Sequence, residues 1–214
     1  MNNNKIIQRL GDSQIGAALA PFGISPSAEL CANIRDYTVL LLQWNQKVSL
    51  TSVVEPLALL ARHFGESLYA AHAVPIEGRR LADVGSGAGF PALALKLVLP
   101  GTEVTLIEAN AKKAAFLAEA VRVLRLQGVR ILHARTDLIS PGEPLADCIT
   151  ARAIGQFPSL LGWSAKALAP GGKVVLWVTL DHVPAIQAIP DWTWQKPIPV
   201  PQSQRRVLLV GCST

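Results

Sequence analysis

Cysteine and histidine are scarce in this chain of 214 residues, and both are scattered. The three cysteines, Cys31, Cys148 and Cys212, lie far apart, are odd in number and show no C-x-x-C spacing. This pattern argues against a disulfide framework and indicates buried thiols in a reducing compartment. The four histidines are dispersed as well, so the sequence assembles no metal site and we expect none.

Long apolar runs are also lacking. The longest candidates, residues 37–42 and 91–100, are short or interrupted by Lys96, whereas a membrane-spanning helix needs roughly 18 consecutive apolar residues. The N-terminal segment MNNNKIIQRLGDSQ is polar and has none of the charged-then-apolar pattern of a secretory signal. We therefore expect a cytoplasmic protein without a membrane partner.

Charge is present in moderate amount and leans positive. Lysine and arginine number 20 against 15 acidic residues, which gives a net charge of +5 and an isoelectric point near 9.4. A balance of this size permits a polyanionic partner without requiring one. Half of the residues are hydrophobic, so a well-packed core is expected.

The first 78 residues carry helical periodicity. Apolar residues recur every three or four positions from Leu30 to Val48, and again at Leu60, Phe64 and Leu68. This spacing places them on one face of a helix. We predict an N-terminal helical region, residues 1–78, that packs on the domain that follows.

From residue 79 onward, short apolar runs alternate with helical patterns. The runs that indicate strands are residues 81–84, 103–107, 129–132, 147–150, 173–178, 192–194 and 206–210. Strands that alternate with helices are typical of a parallel sheet covered on both faces. The predicted fold class is α/β and Rossmann-like, with a mostly parallel seven-stranded sheet in residues 79–214.

A glycine-rich loop follows the first of these strands. Gly85, Gly87 and Gly89 stand at alternate positions, with Asp83 two residues before the first. A strand that ends in glycines and leads into a helix offers unpaired backbone N–H groups to a ligand. The dinucleotide fingerprint G-x-G-x-x-G would need glycine where Phe90 stands, which disfavours an NAD-dependent oxidoreductase.

An acidic residue closes the next strand signal. Glu108 lies 23 residues after Gly85, where a carboxylate can accept both hydroxyls of an unphosphorylated ribose. Together the loop and Glu108 resemble the S-adenosylmethionine pocket of class I methyltransferases. Phe90 leaves two alternatives open: it stacks on the cofactor, or it fills the interface between sheet and helix.

Four segments carry a more specific resemblance: DVGSGAGFPALAL, VTLIEANAKKAAFL, HARTDL and DCITARA. With LLQWNQKVSLTSV and ARHFGESL upstream, they are similar to the RsmG (GidB) family of bacterial 16S rRNA guanine-N7 methyltransferases. The similarity runs from about residue 41 to 153. It implies transfer of a methyl group from S-adenosylmethionine to N7 of a guanosine in the decoding-region stem-loop of 16S rRNA.

The resemblance also implies the residues that hold S-adenosylmethionine: Gly85, Ser86, Gly87, Gly89, Phe90, Glu108, Thr136, Asp137 and Arg152. Glu108 would hold the ribose. Thr136 and Asp137 would lie by the adenine. Arg152 would close the pocket near the methyl donor or face the RNA, and it is the best candidate for a catalytic contribution.

The chain departs from the family pattern in four places. Ala92 stands where glycine is usual, Ala109 where serine is common and Asp137 where glutamate is common. Val178-Thr179 replaces a usual Lys-Gly pair near the last parallel strand. The last departure bears on the rRNA assignment if the usual Lys contacts RNA or substrate, and it does not touch the expected cofactor pocket.

Contact with 16S rRNA or the small ribosomal subunit would need basic side chains. The candidates are Lys112-Lys113, Arg122, Arg125, Arg130, Arg135, Arg79-Arg80 and Arg205-Arg206. A solvated surface charge is the alternative for each. His63, Trp44 and Cys148 are interpreted as packed or buried residues.

The sequence shows no Ser-His-Asp or Cys-His arrangement, and transfer to guanine N7 needs no prior deprotonation. We expect a monomer. The alternatives are a methyltransferase for another RNA, a protein or a small molecule, and a non-catalytic nucleotide-binding adaptor.

Overall fold

The computed structural model describes residues 10–76, 80–139 and 145–214, and within them a central sheet is covered by helices on both faces. The α-helices are α1 Asp12–Leu19, α2 Ala28–Asn45, α3 Pro56–Leu59, α4 Glu66–Ala73, α5 Ala92–Val98, α6 Ala111–Val123, α7 Phe157–Ala167 and α8 Val183–Gln187. A π-helical turn, Leu60–Gly65, joins α3 to α4 without a break. The expected boundary between the two regions falls at residues 78 and 79, which lie outside the described residues.

The strands are β1 Arg80–Val84, β2 Glu103–Ile107, β3 Val129–Leu132, β4 Ala146–Arg152, β5 Leu168–Thr179, β6 Trp192–Trp194, β7 Ile198–Pro199 and β8 Arg206–Ser213. Seven of them lie in the order β3-β2-β1-β4-β5-β8-β6, and the first five of these are parallel. Strands β6 and β8 run antiparallel, as expected for a closing pair. The seven-stranded prediction describes this path, and the two-residue β7, which pairs with β8, makes the sheet eight-stranded.

Strand β7 was not predicted because two residues, one of them proline, carry almost no alternating pattern.

The order of the parallel strands creates a switch point in the topology of the sheet. The chain leaves β1 toward β2 on one side and returns to β4 on the other, so the two connections diverge at the carboxyl ends of β1 and β4. In open α/β sheets this switch point forms the crevice where ligands bind.

Asn45 shapes the connection between the two N-terminal helical stretches. Its side-chain oxygen accepts hydrogen bonds from the backbone N–H groups of Leu50 and Thr51 at 2.8 and 2.9 Å. Its amide donates to the Thr51 carbonyl at 2.8 Å. Three hydrogen bonds from one side chain replace the regular backbone pairing that the loop lacks, so Asn45 braces the segment that follows α2.

The helical region and the sheet share one hydrophobic core through Tyr37. This fully buried side chain lies on α2 and stacks on Phe90 with ring centroids 5.0 Å apart and planes 9° apart. Its hydroxyl donates a hydrogen bond to the carbonyl of Ala88 at 2.7 Å. A single side chain of the helical region therefore holds the glycine-rich loop by packing and by a buried hydrogen bond.

Replacing Tyr37 by phenylalanine is expected to lower the free energy of unfolding by about 1–3 kcal/mol, because the buried carbonyl of Ala88 loses its donor. Urea denaturation monitored by tryptophan fluorescence measures the change. Tyr69→Phe is the matched control, since Tyr69 is half-buried, and it should change stability by less than about 0.5 kcal/mol. Equal effects of the two substitutions would contradict the role assigned to the Tyr37 hydroxyl.

Candidate cofactor and substrate site

The glycine-rich loop continues the hydrogen-bonding pattern of β1 beyond the end of the strand. The N–H groups of Gly85 and Ser86 both donate to the carbonyl of Ile107, at 2.9 and 3.1 Å. The chain then turns sharply, and Gly89 N–H donates to the carbonyl of Ser86 at 2.7 Å. This anchors the loop at the carboxyl edge of the sheet, next to the switch point.

The three loop glycines all have left-handed backbone angles, but their surroundings differ. The φ angles of Gly85, Gly87 and Gly89 are +69°, +54° and +80°. A Cβ added at Gly87 would meet nothing nearer than a carbonyl oxygen at 3.7 Å, so that position borders open space. Gly89 is buried, and a Cβ there would overlap protein atoms. Gly85 is thus exposed and Gly87 borders open space at this edge, whereas Gly89 is packed against protein.

Glu108 is held against the loop by backbone donors on two sides. Its Oε2 accepts from Gly87 N–H and its Oε1 from Asn110 N–H, both at 2.8 Å. Asn110 in turn caps α6, since its Oδ1 accepts from the N–H groups of Lys112 and Lys113. Each carboxylate oxygen keeps a further lone pair, so a fixed Glu108 can still accept two ligand hydroxyls.

Phe90 lies within an aromatic cluster formed largely by the helical region. It stacks on Tyr37 and, at 4.8 Å, on His63, and it meets Phe64 edge-on at 5.0 Å. Only 7% of its surface is exposed. Of the two alternatives for Phe90, these contacts correspond to filling the interface, and a wall for the cofactor stays a prediction.

Thr136 and Asp137 lie in a short 3₁₀ turn that three residues separate from the end of β3. Because β3 pairs with β2, this turn and Glu108 lie at the same edge of the sheet. Thr136 is half-buried, and exposed Asp137 receives two hydrogen bonds of 3.0 Å from Arg135. The turn borders the site, and Arg135 forms an exposed ion pair with Asp137 there.

Asp83 has its carboxyl group fully buried beneath the loop. Thr150 Oγ1 on β4 donates to its Oδ1 at 2.6 Å, and Asp83 Oδ2 has no hydrogen-bond partner among the described residues. Burial raises the pKa of Asp83 from 3.8 to about 7, although the hydrogen bond from Thr150 opposes the rise. This carboxyl therefore carries a proton in the folded protein at mildly acidic pH.

The raised pKa of Asp83 predicts a pH-dependent stability. Between pH 4 and 7 the folded protein binds a proton that the unfolded chain has released, so the free energy of unfolding falls as pH rises through this window. Asp83→Asn removes the titration. In urea denaturation, the free energy of unfolding should fall from pH 5 to pH 8 by about 2–3 kcal/mol more in the wild type than in Asp83→Asn.

Comparing the wild type with Asp83→Asn at both pH values cancels the contributions of the other titratable groups to the pH dependence of stability. Burial lowers the pKa of His63 to about 3, so the folded protein resists protonating it and loses stability below pH 6.5. That contribution has the opposite sign to that of Asp83 and is common to both proteins. An identical pH dependence of wild type and variant would contradict a buried, protonated Asp83.

Arg152 ends β4, and its guanidinium group contacts the helical region. Its Nη2 donates to the carbonyl of Arg62 at 2.8 Å and lies 3.3 Å from Glu66 Oε2. Burial lowers the pKa of Arg152 to about 10. Arg152 borders a cavity of about 170 Å³ that is also lined by Val178 and Thr179, which stand where the Lys-Gly pair was expected.

Comparison with known proteins identifies the family. A family model described as GidB, rRNA small subunit methyltransferase G, matches residues 30–179. The chain belongs to this family.

Two curated members and one solved structure place it further. A Ribosomal RNA small subunit methyltransferase G from Desulfitobacterium hafniense is 40% identical over 139 residues, 64% of this chain and 57% of the relative's length. One from Myxococcus xanthus is 39% identical over 166 residues, 77% and 76% of the two chains. A SAM dependent methyltransferase structure from Aquifex aeolicus has a TM-score of 0.61 at 17% identity and covers 75% of this chain and 94% of that one. This last similarity shows the class I methyltransferase fold.

Within this family member, several arginines expected to meet RNA have carboxylate partners. The pairs are Arg80 with Asp147, Arg122 with Glu119, Arg135 with Asp137, and Arg205 with Asp181. Arg79 lies outside the described residues. Lys112, Lys113, Arg125 and Arg130 lie on or beside α6 and β3, and Lys112 is exposed at the first turn of α6.

Three further residues are placed as the sequence indicated. His63 is packed against Phe90, with its Nε2 2.8 Å from Thr51 Oγ1. Trp44 is half-buried against Phe116, and Cys148 is fully buried in β4.

No helix in the described ranges is long and apolar enough to cross a membrane, and no cluster of metal-ligating side chains occurs in them.

The sequence did not single out Tyr37, Thr150 or Glu66 for a role at the site. All three are buried polar residues within helical or strand patterns. Their partners lie 51, 67 and up to 140 residues away. A local pattern carries no signal for such contacts, except that an acidic residue on the apolar face of a helix calls for a buried cationic partner.

Proposed function

We propose that this chain transfers a methyl group from S-adenosylmethionine to N7 of one guanosine in the decoding-region stem-loop of 16S rRNA. The observation that carries the proposal is the Glu108 carboxylate, which two backbone N–H groups hold against the G-x-G-x-G loop at the switch point of the sheet. Membership of the rRNA small subunit methyltransferase G family supports the substrate.

The residues at the edge of the sheet fit the cofactor. Gly85 and Gly87 expose backbone without side chains, and Gly87 borders open space. Glu108 offers hydrogen-bond acceptors to the ribose hydroxyls. Thr136 and Asp137 lie on the side where the adenine would be held. When bound, S-adenosylmethionine supplies an electrophilic methyl group on a sulfonium.

The chain's own residues contribute position rather than proton transfer. Guanine N7 has a free lone pair, so no general base is needed, and holding it in line can lower the barrier by several kcal/mol. Arg152, buried at the end of β4, contributes positive charge at the substrate side of the site. The protein acts as a monomer in the cytoplasm, with 16S rRNA or the small ribosomal subunit as its partner.

Transfer of tritiated methyl to small ribosomal subunits from a strain that lacks the modification tests the proposal. Cleavage at N7-methylguanine then maps the label, and we expect one labelled guanosine in the decoding region. Protein that binds S-adenosylmethionine but labels no rRNA would overturn the substrate and direct attention to Val178 and Thr179. Protein that binds no S-adenosylmethionine would indicate a non-catalytic adaptor.

A further inference from the structure

Glu66 is a buried carboxylate surrounded by three guanidinium groups. Only 2% of its side chain is exposed. Arg206 contacts its Oε1 through Nε at 2.8 Å and Nη2 at 2.7 Å, Arg152 Nη2 lies 3.3 Å from its Oε2, and Arg62 Nη1 lies 3.8 Å from its Oε1. We call Arg62, Arg152 and Arg206 the arginine cluster.

The arginine cluster assembles three distant parts of the chain. Arg62 belongs to the π-helical turn, Arg152 ends β4 and Arg206 begins β8. Glu66 is the first residue of α4, and its carbonyl also accepts a hydrogen bond from Trp177 Nε1 at 3.0 Å. One carboxylate therefore sets the direction of three side chains that no local structure holds together.

The charges of this group do not balance. Three guanidinium groups face one carboxylate, which leaves a surplus of two positive charges. Arg152 Nη1 is buried and has no hydrogen-bond partner in the described part of the chain. A buried guanidinium group with an unpaired N–H donor costs free energy unless an anion accepts a hydrogen bond from it.

The surplus charge faces a cavity on the substrate side of the site. All four charged residues line this cavity of about 170 Å³, and Phe157 and Trp177 contribute aromatic surface. Arg62 and Arg206 remain 40% and 29% exposed, so an external anion can reach them. Ile154, which also lines the cavity, would lie 3.3 Å from a Cβ at Gly85, so the cavity adjoins the glycine-rich loop.

We propose that Glu66 is a positioning residue that holds the arginine cluster for one phosphate of the substrate RNA backbone. The inference rests on the proposed function, which it extends by naming the group of the RNA that this cavity receives. Guanidinium groups are suited to phosphate because their planar donors bind its oxygens in pairs. A phosphate held here fixes the register of the RNA beside the cofactor loop.

Binding of inorganic phosphate by the protein alone tests the site without reference to activity. The midpoint of thermal unfolding is followed at increasing phosphate and constant ionic strength, with chloride as the balancing anion. Wild type should be stabilised, and Arg206→Gln should need about tenfold more phosphate for the same shift, because a charged donor is lost. Arg205→Gln is the matched control: Arg205 is exposed, pairs with Asp181 and does not line the cavity, so its curve should match that of wild type.

Glu66→Gln separates positioning from simple attraction. Removal of a negative charge would tighten phosphate binding if charge alone mattered, whereas loss of the common anchor should weaken it severalfold. Glu66→Asp keeps the charge and should restore most of the affinity. Tighter phosphate binding by Glu66→Gln would overturn the positioning role, and if that variant does not fold, Arg206→Gln alone decides whether the cavity binds phosphate.

Salt dependence of rRNA binding tests the RNA assignment. Loss of one phosphate contact lowers the slope of log affinity against log salt by about 0.7–0.9. Arg206→Gln should show this change and a KM for small subunits raised about tenfold, with the affinity for S-adenosylmethionine unchanged. An unaltered slope would overturn the assignment of the cavity to an RNA phosphate. Weaker binding of S-adenosylmethionine by Arg206→Gln would overturn it too, because it would place the methionine carboxylate of the cofactor in the cavity. If the protein binds phosphate but labels no rRNA, the proposed function is wrong, whereas the arginine cluster is still a phosphate-binding site.

Discussion

Replacing Gly85 by leucine is expected to abolish binding of S-adenosylmethionine in a protein that still folds. Gly85 is exposed at the carboxyl edge of the sheet, and its backbone lies along the surface that the cofactor would occupy. A side chain there would stand in the ligand's place, so we expect affinity to fall about hundredfold or more, corresponding to about 3 kcal/mol. Calorimetric titration with S-adenosylmethionine measures the loss.

The fold should survive this change because little protein lies close to Gly85. An added Cβ would meet Ile154 Cδ1 at 3.3 Å, the end of a flexible side chain, and the φ of +69° costs an L-residue about 1–2 kcal/mol. Gly101→Leu is the control, since a Cβ there meets nothing within 4 Å and Gly101 precedes β2 at the opposite edge of the sheet. Normal cofactor affinity in folded Gly85→Leu would contradict the site.

Replacing Gly89 by alanine is expected to have the opposite profile, with a large loss of stability. The added Cβ would overlap the Tyr37 hydroxyl and lie 2.6 Å from Leu93 Cδ1, at a φ of +80°. The hydroxyl cannot move aside without losing its bond to Ala88. Backbone strain and overpacking together should lower the free energy of unfolding by about 2–5 kcal/mol in urea denaturation.

Two further variants separate the causes of that loss. Gly23→Ala has a φ of +74° and nothing within 4 Å of its Cβ, so it measures backbone strain alone, about 1–2 kcal/mol. In a Tyr37→Phe background, Gly89→Ala should cost less than in wild type, because the overlapping hydroxyl is gone. Equal costs in the two backgrounds would show that Tyr37 is not the obstacle.

The three glycines illustrate how far a motif can be interpreted. Their alternate spacing predicted a ligand-binding loop after β1, and all three adopt the left-handed backbone that glycine favours. The spacing alone did not distinguish a glycine that borders open space from one that lies against a tyrosine. Gly89 differs from Gly87 through Leu93 on the helix that follows and through Tyr37 on α2, which lies more than 50 residues earlier in the chain.

Periodicity was sufficient for the fold class because each strand and helix of a doubly wound sheet is marked locally. Buried parallel strands appear as short apolar runs, and helices as apolar residues at spacings of three and four. The family resemblance added an expected substrate and the residues expected to line the pocket. Glu108 could be placed beside the loop from the sequence, since it directly follows the strand next to β1 and parallel strands end at the same edge.

Only the tertiary structure decided the surroundings of Phe90 and the assembly around Glu66. A sequence records that Phe90 is aromatic and follows a glycine, but it does not record that Tyr37 and His63 both stack on it. Glu66 and Arg206 are 140 residues apart, and neither lies in a motif that mentions the other. Secondary structure follows from spacing within one segment, whereas the charge of this site depends on which segments the fold brings together.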